Sequence, residues 1–202
     1  CTFPGHWRRM FGTLAVVNDV EAYLASHPET AEPQVTEWKV EDLAPDLERV
    51  GSGRNLESGR QLFTTLACLQ CHKLGALGYA FGPELTDVFQ RWKGDRVGVL
   101  REIIEPSKVI DDRYRNHSFE LKDGESVSGL IVKEDETSVT IHAGPADTLV
   151  QTLPKTSIAS RQVRQSSVMP LGLLNQLSKE QILDLLAFVE SGGKAEGAGH
   201  KH

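Results

Sequence analysis

Apolar residues recur with a helical period in four parts of the chain. The stretch LESGRQLFTTLA follows Asn55 and keeps its apolar side chains on one face, which predicts a helix capped by that asparagine. ELTDVFQRW and DRVGVLREIIE predict two more helices, the second capped by Asp95 and ended by a proline. A fourth helix begins at a capping box formed by Ser178 and Gln181. These segments predict a helical core.

After Tyr114 the period changes from helical to two. The stretch NHSFELKDGESVSGLIVKEDETSVTIHAG predicts three strands, and Asp123-Gly124 within it favours a hairpin turn. TLVQTLP and SIASRQVRQ predict a fourth and a fifth strand. We therefore expect a mainly α fold whose helical core carries an antiparallel β insertion at about residues 115–166.

The remaining segments suggest how the chain is divided. FGTLAVV near the start predicts a strand, and residues 19–53, which hold a short helical stretch and then many Pro, Glu and Gly, predict a linker or arm. The main domain is expected at residues 54–195 and a flexible Gly-rich tail at 196–202. Because the chain begins at Cys1 and not at a methionine, it looks cut from something longer.

Composition narrows the classes of function. The 202 residues are 39% hydrophobic and 25% charged, which is typical of a globular protein. A net charge of −6 argues against nucleic acid or an anionic membrane as partner. No apolar run approaches the roughly 20 residues that a membrane span needs. Three cysteines are too few for a disulfide framework.

The candidate chemistry lies in CLQCH, which contains Cys68, Cys71 and His72. Zinc needs four ligands, and the chain has no second C-x-x-C. A redox dithiol of the thioredoxin kind needs a strand before the motif and a helix after it, whereas a helix precedes this motif and a Gly-rich loop follows it. The third chemistry is covalent haem attachment, in which both cysteines form thioethers and the histidine ligates the iron.

A sixth iron ligand would come from elsewhere in the chain. Met169 lies in SSVMPLGL, a loop before the last predicted helix, and a thioether there gives the His/Met pair that suits electron transfer. His117 and His142 are the alternative ligands. In FGPEL, the Pro83 carbonyl is placed to accept a hydrogen bond from Nδ1 of the motif's histidine.

Four stretches together resemble one family. They are GRQLFTTLACLQCHKLG, FGPELTDV, IIEPSKVIDDRYRNHSFELKDGESVSGLIVKE and SVMPLGLLNQLSKEQILDLLAFVES. Over about residues 38–191 they resemble the haem-binding c-type cytochrome domain of planctomycete and verrucomicrobial proteins. The resemblance implies a cytochrome c helical core, covalent haem c at Cys68 and Cys71, and iron ligation by His72 and Met169. It also implies a redox partner protein or a fused dehydrogenase domain.

Residues 1–18 resemble something different, the C-terminal end of an azurin-like blue-copper domain. Cys1, His6 and Met10 have the spacing of its copper ligands, and the following residues would be its last strand. The rest of that cupredoxin is absent, so copper is expected only in an intact longer protein. A lipidated N-terminal cysteine and a free thiol are the alternatives for the first residue.

These features predict electron transfer and no catalysis, with the haem in a relay with blue copper or a dehydrogenase. The alternative is a haem enzyme, or a site that binds peroxide or a gas, with an open iron position. The β insertion could also dock a partner. Arg113 and Tyr114 are candidates for contacts with haem propionates. Because haem is attached to this motif outside the bacterial cytoplasm, we expect a periplasmic or cell-surface location.

Overall fold

The computed structural model describes residues 16–27, 35–145 and 149–194. The chain divides into two compact units, residues 1–34 and 35–202. Three predictions lie outside the described residues: the copper ligands Cys1, His6 and Met10, most of the first strand, and the C-terminal tail.

The first unit contributes one described helix, α1 (Val20–Ser26). Asp19 caps it, because the carboxylate accepts a hydrogen bond from the Ala22 amide at 2.9 Å. The short helix predicted in this stretch is confirmed.

The second unit contains six further α-helices among its described residues. They are α2 (Val40–Leu43), α3 (Leu56–Thr65), α4 (Cys68–Cys71), α5 (Val88–Arg91), α6 (Arg96–Ile104) and α7 (Lys179–Glu190). One-turn or longer 3-10 helices lie at Ala44–Gly51, Asp112–Tyr114 and Lys155–Ser157. No helix in the described ranges is long and apolar enough to cross a membrane.

The predicted helix caps are confirmed. Asn55 accepts from the Ser58 amide at 3.0 Å at the start of α3, and Asp95 accepts from the Gly98 amide at 2.9 Å at the start of α6. Ser178 forms the capping box of α7. Each cap satisfies an amide that the helix leaves without an intrahelical partner, so these boundaries are set locally.

The helical core centres on the crossing of α3 and α7. Gly59 lies against the α7 backbone, and a Cβ there would approach the Phe188 Cβ to 2.7 Å. Phe63 and Phe188 meet edge to face one turn further on, with ring centroids 5.9 Å apart. The predicted arm also contributes to this core through Leu43, Leu47 and Val50.

The predicted β block forms one five-stranded antiparallel sheet in the order β4-β3-β2-β1-β5. The strands are β1 (Asn116–Leu121), β2 (Ser126–Glu134), β3 (Ser138–His142), β4 (Val150–Pro154) and β5 (Ile158–Val163). The sheet has its own core, separate from the helical one, built on Phe119, Leu121, Val139, Ile141 and Leu153. The five strands expected from the period-two pattern are confirmed.

The expected mainly α fold class is wrong. Of the described residues, 38% are helical and 20% are in strands, so helix and sheet both make up the fold. The physical reason is that the β block buries its own apolar face. It is therefore a second structural layer and not a minor insertion into a helical domain. The helical part is also shorter than expected, because ELTDVFQRW yields only the four-residue helix α5.

Candidate functional site

The CLQCH motif occupies a helical turn of its own. Helix α3 stops at its C-cap Leu66, and the next residue, Ala67, has a left-handed backbone with φ of 61°. That turn in the chain starts α4, in which the His72 amide donates to the Cys68 carbonyl at 2.9 Å. The motif is therefore presented at the end of α3 and not within it.

The imidazole of His72 is held by the loop that follows. Its Nδ1 lies 2.7 Å from the carbonyl oxygen of Pro83, as predicted from the sequence. A carbonyl only accepts, so Nδ1 must carry the proton, and Nε2 is then the nitrogen with a free lone pair. This is the tautomer that a metal ligand needs, with a backbone partner that fixes the ring orientation.

Two glycines let the loop pass close to the motif, one beside the imidazole of His72 and one beside the backbone of the motif. A Cβ at Gly82 would lie 2.8 Å from Cε1 of His72, closer than side chains tolerate. Gly78 has φ of +78°, and a Cβ there would lie 2.7 Å from the Leu69 carbonyl oxygen. Sequence reasoning noted a Gly-rich loop but missed these two roles. For Gly82 the signal was available in FGPEL, where this glycine immediately precedes the proline whose carbonyl is used.

Burial keeps both thiols protonated at neutral pH. It raises the pKa of Cys68 to about 11 and also raises the pKa of Cys71. Dithiol oxidoreductases work the other way, by lowering the pKa of the attacking thiol in an electropositive setting. Zinc is disfavoured too, because no group of three or more His, Cys, Asp or Glu in the described ranges could hold a metal ion.

The pKa of His72 is lowered by burial, although its hydrogen bond to Pro83 partly opposes this effect. A lowered pKa keeps the imidazole neutral at physiological pH. Neutral imidazole is the form that binds metals.

Met169 lies half-buried in the loop before α7. Its amide donates to Oγ of Ser167 at 3.1 Å, and the Ser167 amide donates to Oγ of Ser107 at 3.0 Å. Further along, Leu174 and Leu177 are buried in the helical core. The methionine thus lies between two anchored points of the loop.

A surface groove of about 430 Å³ is lined by residues from beside the CLQCH motif and from the loop that carries Met169. Leu66, two residues before Cys68, lies on one side, and Leu171, two residues after Met169, is also part of its lining. The full lining is Val35, Leu66, Leu171, Gly172, Leu173, Asn175 and Gln176.

The other candidates have local partners. Arg113 forms an ion pair with Asp111 at 2.9 Å and lies over the Tyr114 ring, 5.5 Å from its centroid. This pair holds the pKa of Asp111 at about 2.

His117 accepts a hydrogen bond from Arg161 on the sheet, and His142 contacts a phenylalanine of the loop after the motif. Propionate contacts by Arg113 and Tyr114 stay a prediction.

Comparison with known families finds a match over less than half of the chain, within the second unit. The family model of cytochrome c matches residues 56–139. The match supports a c-type cytochrome domain. It begins at the first residue of α3, contains the whole CLQCH motif, and ends within β3. No curated protein matches the chain.

The cytochrome c family implies a covalently bound haem c and electron transfer through it. Such domains are typically extracytoplasmic. The match gives no support to the planctomycete type of the resemblance, nor to a blue-copper domain at residues 1–18.

Proposed function

We propose that this cytochrome domain binds haem c through thioether bonds from Cys68 and Cys71, with His72 and Met169 as the two iron ligands. In this proposal the domain carries single electrons and is not itself an enzyme. The bound haem supplies an iron that cycles between the ferric and ferrous states.

The observation that carries the proposal is the hydrogen bond between His72 and the Pro83 carbonyl. It consumes Nδ1, orients the ring, and leaves Nε2 as the metal-binding atom. The residues therefore fit the group: two unpaired thiols, a neutral imidazole of the required tautomer, and a close approach of Gly82 to the ring.

Met169 supports the choice of an electron carrier over an enzyme. If the Met169 thioether holds the iron, it would leave no position for peroxide or a gas. The groove shared by Leu66 and the segment after Met169 supports this placement of the methionine, because it brings the flanks of both ligand-bearing segments to the same part of the surface.

The partner in this proposal is a redox protein or a dehydrogenase domain of a longer protein, in the periplasm or at the cell surface. Haem attachment to this motif outside the cytoplasm is the reason for that location. A copper centre at Cys1, His6 and Met10 would require the intact longer protein.

A pyridine haemochrome assay and a ferric absorption spectrum test the proposal on the matured wild type, Met169→Ala and the control Val168→Ala. We expect thioether-linked haem in all three. The sulfur-to-ferric-iron band should be present in wild type and Val168→Ala and lost in Met169→Ala. A band that persists in Met169→Ala would assign the ligand to another residue, and a colourless or zinc-containing wild type would end the haem assignment.

Carbon monoxide separates the carrier from the enzyme. The ferrous wild type should bind it slowly and weakly, whereas Met169→Ala should bind it rapidly and stoichiometrically. Rapid stoichiometric binding by wild type would favour an open iron site.

A further inference from the structure

The start of the second unit runs along the loop that follows Met169. The Thr36 amide donates to the Asn175 carbonyl at 2.8 Å, and the indole nitrogen of Trp38 donates to the Leu177 carbonyl at 3.0 Å. These two bonds join segments that are about 140 residues apart in the chain. We call residues 35–38 the strap.

The strap is itself firmly held. Trp38 is half-buried and packs against the helical core. Two residues later α2 begins, and its Val40 and Leu43 are buried, the latter completely. Packing therefore fixes the position of the indole. Its N–H group holds the Leu177 carbonyl just before the capping box of α7.

The loop from Met169 to Leu177, which the strap holds, has little conformational freedom. Pro170 follows the methionine and restricts the backbone on both of its sides. Gly172 then turns the chain with φ of +74°, and its carbonyl accepts from the Asn175 amide at 3.0 Å. Fixing Asn175 and Leu177 thus limits how far the loop that carries the methionine can move.

We propose that Trp38 is a positioning residue for Met169. Trp38 acts by holding the methionine loop closed through its hydrogen bond to the Leu177 carbonyl. The inference rests on the proposed role of Met169 as iron ligand. The thioether is a weak ligand, so the closed loop keeps it bound against competing ligands. Without the indole donor the loop opens more often, and an exogenous ligand replaces the thioether more readily.

Imidazole titration of the ferric, haem-loaded protein tests the inference. Imidazole displaces the thioether and abolishes the sulfur-to-iron band, so its apparent affinity reports how often the loop opens. Trp38→Phe keeps an aromatic ring but removes the donor, and Thr36→Pro removes the other strap donor while leaving the indole in place. We expect each to raise the imidazole affinity about fivefold, the factor that corresponds to one net hydrogen bond.

Two controls separate positioning from general loss of stability. Trp92→Phe makes the same substitution at the end of α5, where the ring lies against Gly98. Val99→Ala loosens the helical core within α6, at a residue that makes neither of the two strap hydrogen bonds. Both should lower global stability in urea yet leave the imidazole affinity unchanged.

The outcomes are distinct. A wild type without the sulfur-to-iron band would overturn Met169 ligation, and this inference with it. A normal wild-type band with unchanged imidazole affinity in Trp38→Phe would overturn the inference alone, whatever the result for Thr36→Pro. An equal rise in Val99→Ala would also overturn it, because the effect would then follow global stability.

Discussion

The rings of Phe81 and His142 meet edge to face, with centroids 5.2 Å apart and planes at 89°. Phe81 belongs to the loop after the CLQCH motif, and His142 is the last residue of β3. The next residue after Phe81 is Gly82, which packs on the His72 imidazole and whose amide donates to the Cys71 carbonyl at 2.6 Å. The sheet therefore contacts the loop that orients the proposed iron ligand.

Phe81→Ala should destabilise the protein by about 3 kcal/mol, the lower end of the range for buried phenylalanines. Phe81 is only 7% exposed, so its removal leaves a cavity between the loop and the sheet. Urea denaturation measures the loss, and hydrogen exchange at the Gly82 amide should become faster. Tyr79→Ala, in the same loop but 57% exposed, is the control and should change little. Equal losses in the two variants would contradict a role for the contact with His142.

Gly82→Ala should disturb the imidazole itself. The new Cβ would lie 2.8 Å from Cε1 and 3.1 Å from Nδ1 of His72, so the ring must shift and its bond to the Pro83 carbonyl must weaken. A weaker hydrogen bond makes the imidazole a poorer electron donor to ferric iron. We expect the reduction potential to rise by tens of millivolts, at about 59 mV for each tenfold change.

Spectroelectrochemistry measures that shift on the haem-loaded protein. Ala80→Gly alters a neighbouring exposed position of the loop and should leave the potential unchanged. A lower potential in Gly82→Ala would argue against the proposed effect of this hydrogen bond.

Local signals explain what could be predicted from the sequence. The caps at Asn55, Asp95 and Ser178 satisfy amides within three residues, so they were visible without knowledge of the fold. The strands were visible from their period of two. The contact of His72 with Pro83 spans eleven positions and was predicted because the motif fixes the role of the imidazole.

Contacts between distant segments had no such signal. Trp38 and Leu177, or Phe81 and His142, are adjacent only because the chain folds back, and no periodicity marks them. ELTDVFQRW failed as a long helix because the Leu85 amide instead donates to the Lys73 carbonyl at 2.8 Å, which keeps the start of the stretch in the loop. The fold class failed because the pattern gave the strands without showing that they bury a core of their own.

Asp184→Asn should cost about 3 kcal/mol of stability, because it breaks a mostly buried ion pair. Asp184 lies 3.1 Å from Nε of Arg54 and also accepts from the Asn55 amide at 3.1 Å, which ties the start of α3 to α7. The side chains of Arg54 and Asp184 are 14% and 12% exposed, so the arginine would lose its buried counter-charge and keep only the more exposed Glu180.

Urea denaturation of Asp184→Asn and of Glu180→Gln compares the loss of a buried and of an exposed carboxylate partner of Arg54. Glu180 also pairs with Arg54, at 2.8 Å, but its side chain is 52% exposed, and water and salt weaken such a pair. The loss should therefore be much smaller in Glu180→Gln. If the two variants lose the same stability, burial is not what makes the Asp184 pair important.

Protonation of His117 should make the protein less stable in mild acid. Burial lowers its pKa, the positive charges of Arg161 and Arg115 lower it further, and Glu134 partly opposes them. Unfolding restores a pKa near the ordinary 6.5, so the unfolded chain binds the proton first. Stability is therefore complete above about pH 6.5 and is lost as the pH falls from there towards the lower folded-state pKa.

His117→Phe removes the titrating group and keeps a ring beside Phe119, whose centroid lies 6.3 Å from that of His117. Urea denaturation between pH 7.5 and 5 should show wild type losing stability relative to this variant. Ser118→Ala, the next residue on β1, should follow the wild-type pH dependence. A wild type that gains stability relative to His117→Phe as the pH falls would mean that the imidazole binds its proton more tightly in the folded protein. Glu134, which lies 3.0 Å from Arg161, would then outweigh burial and both arginines.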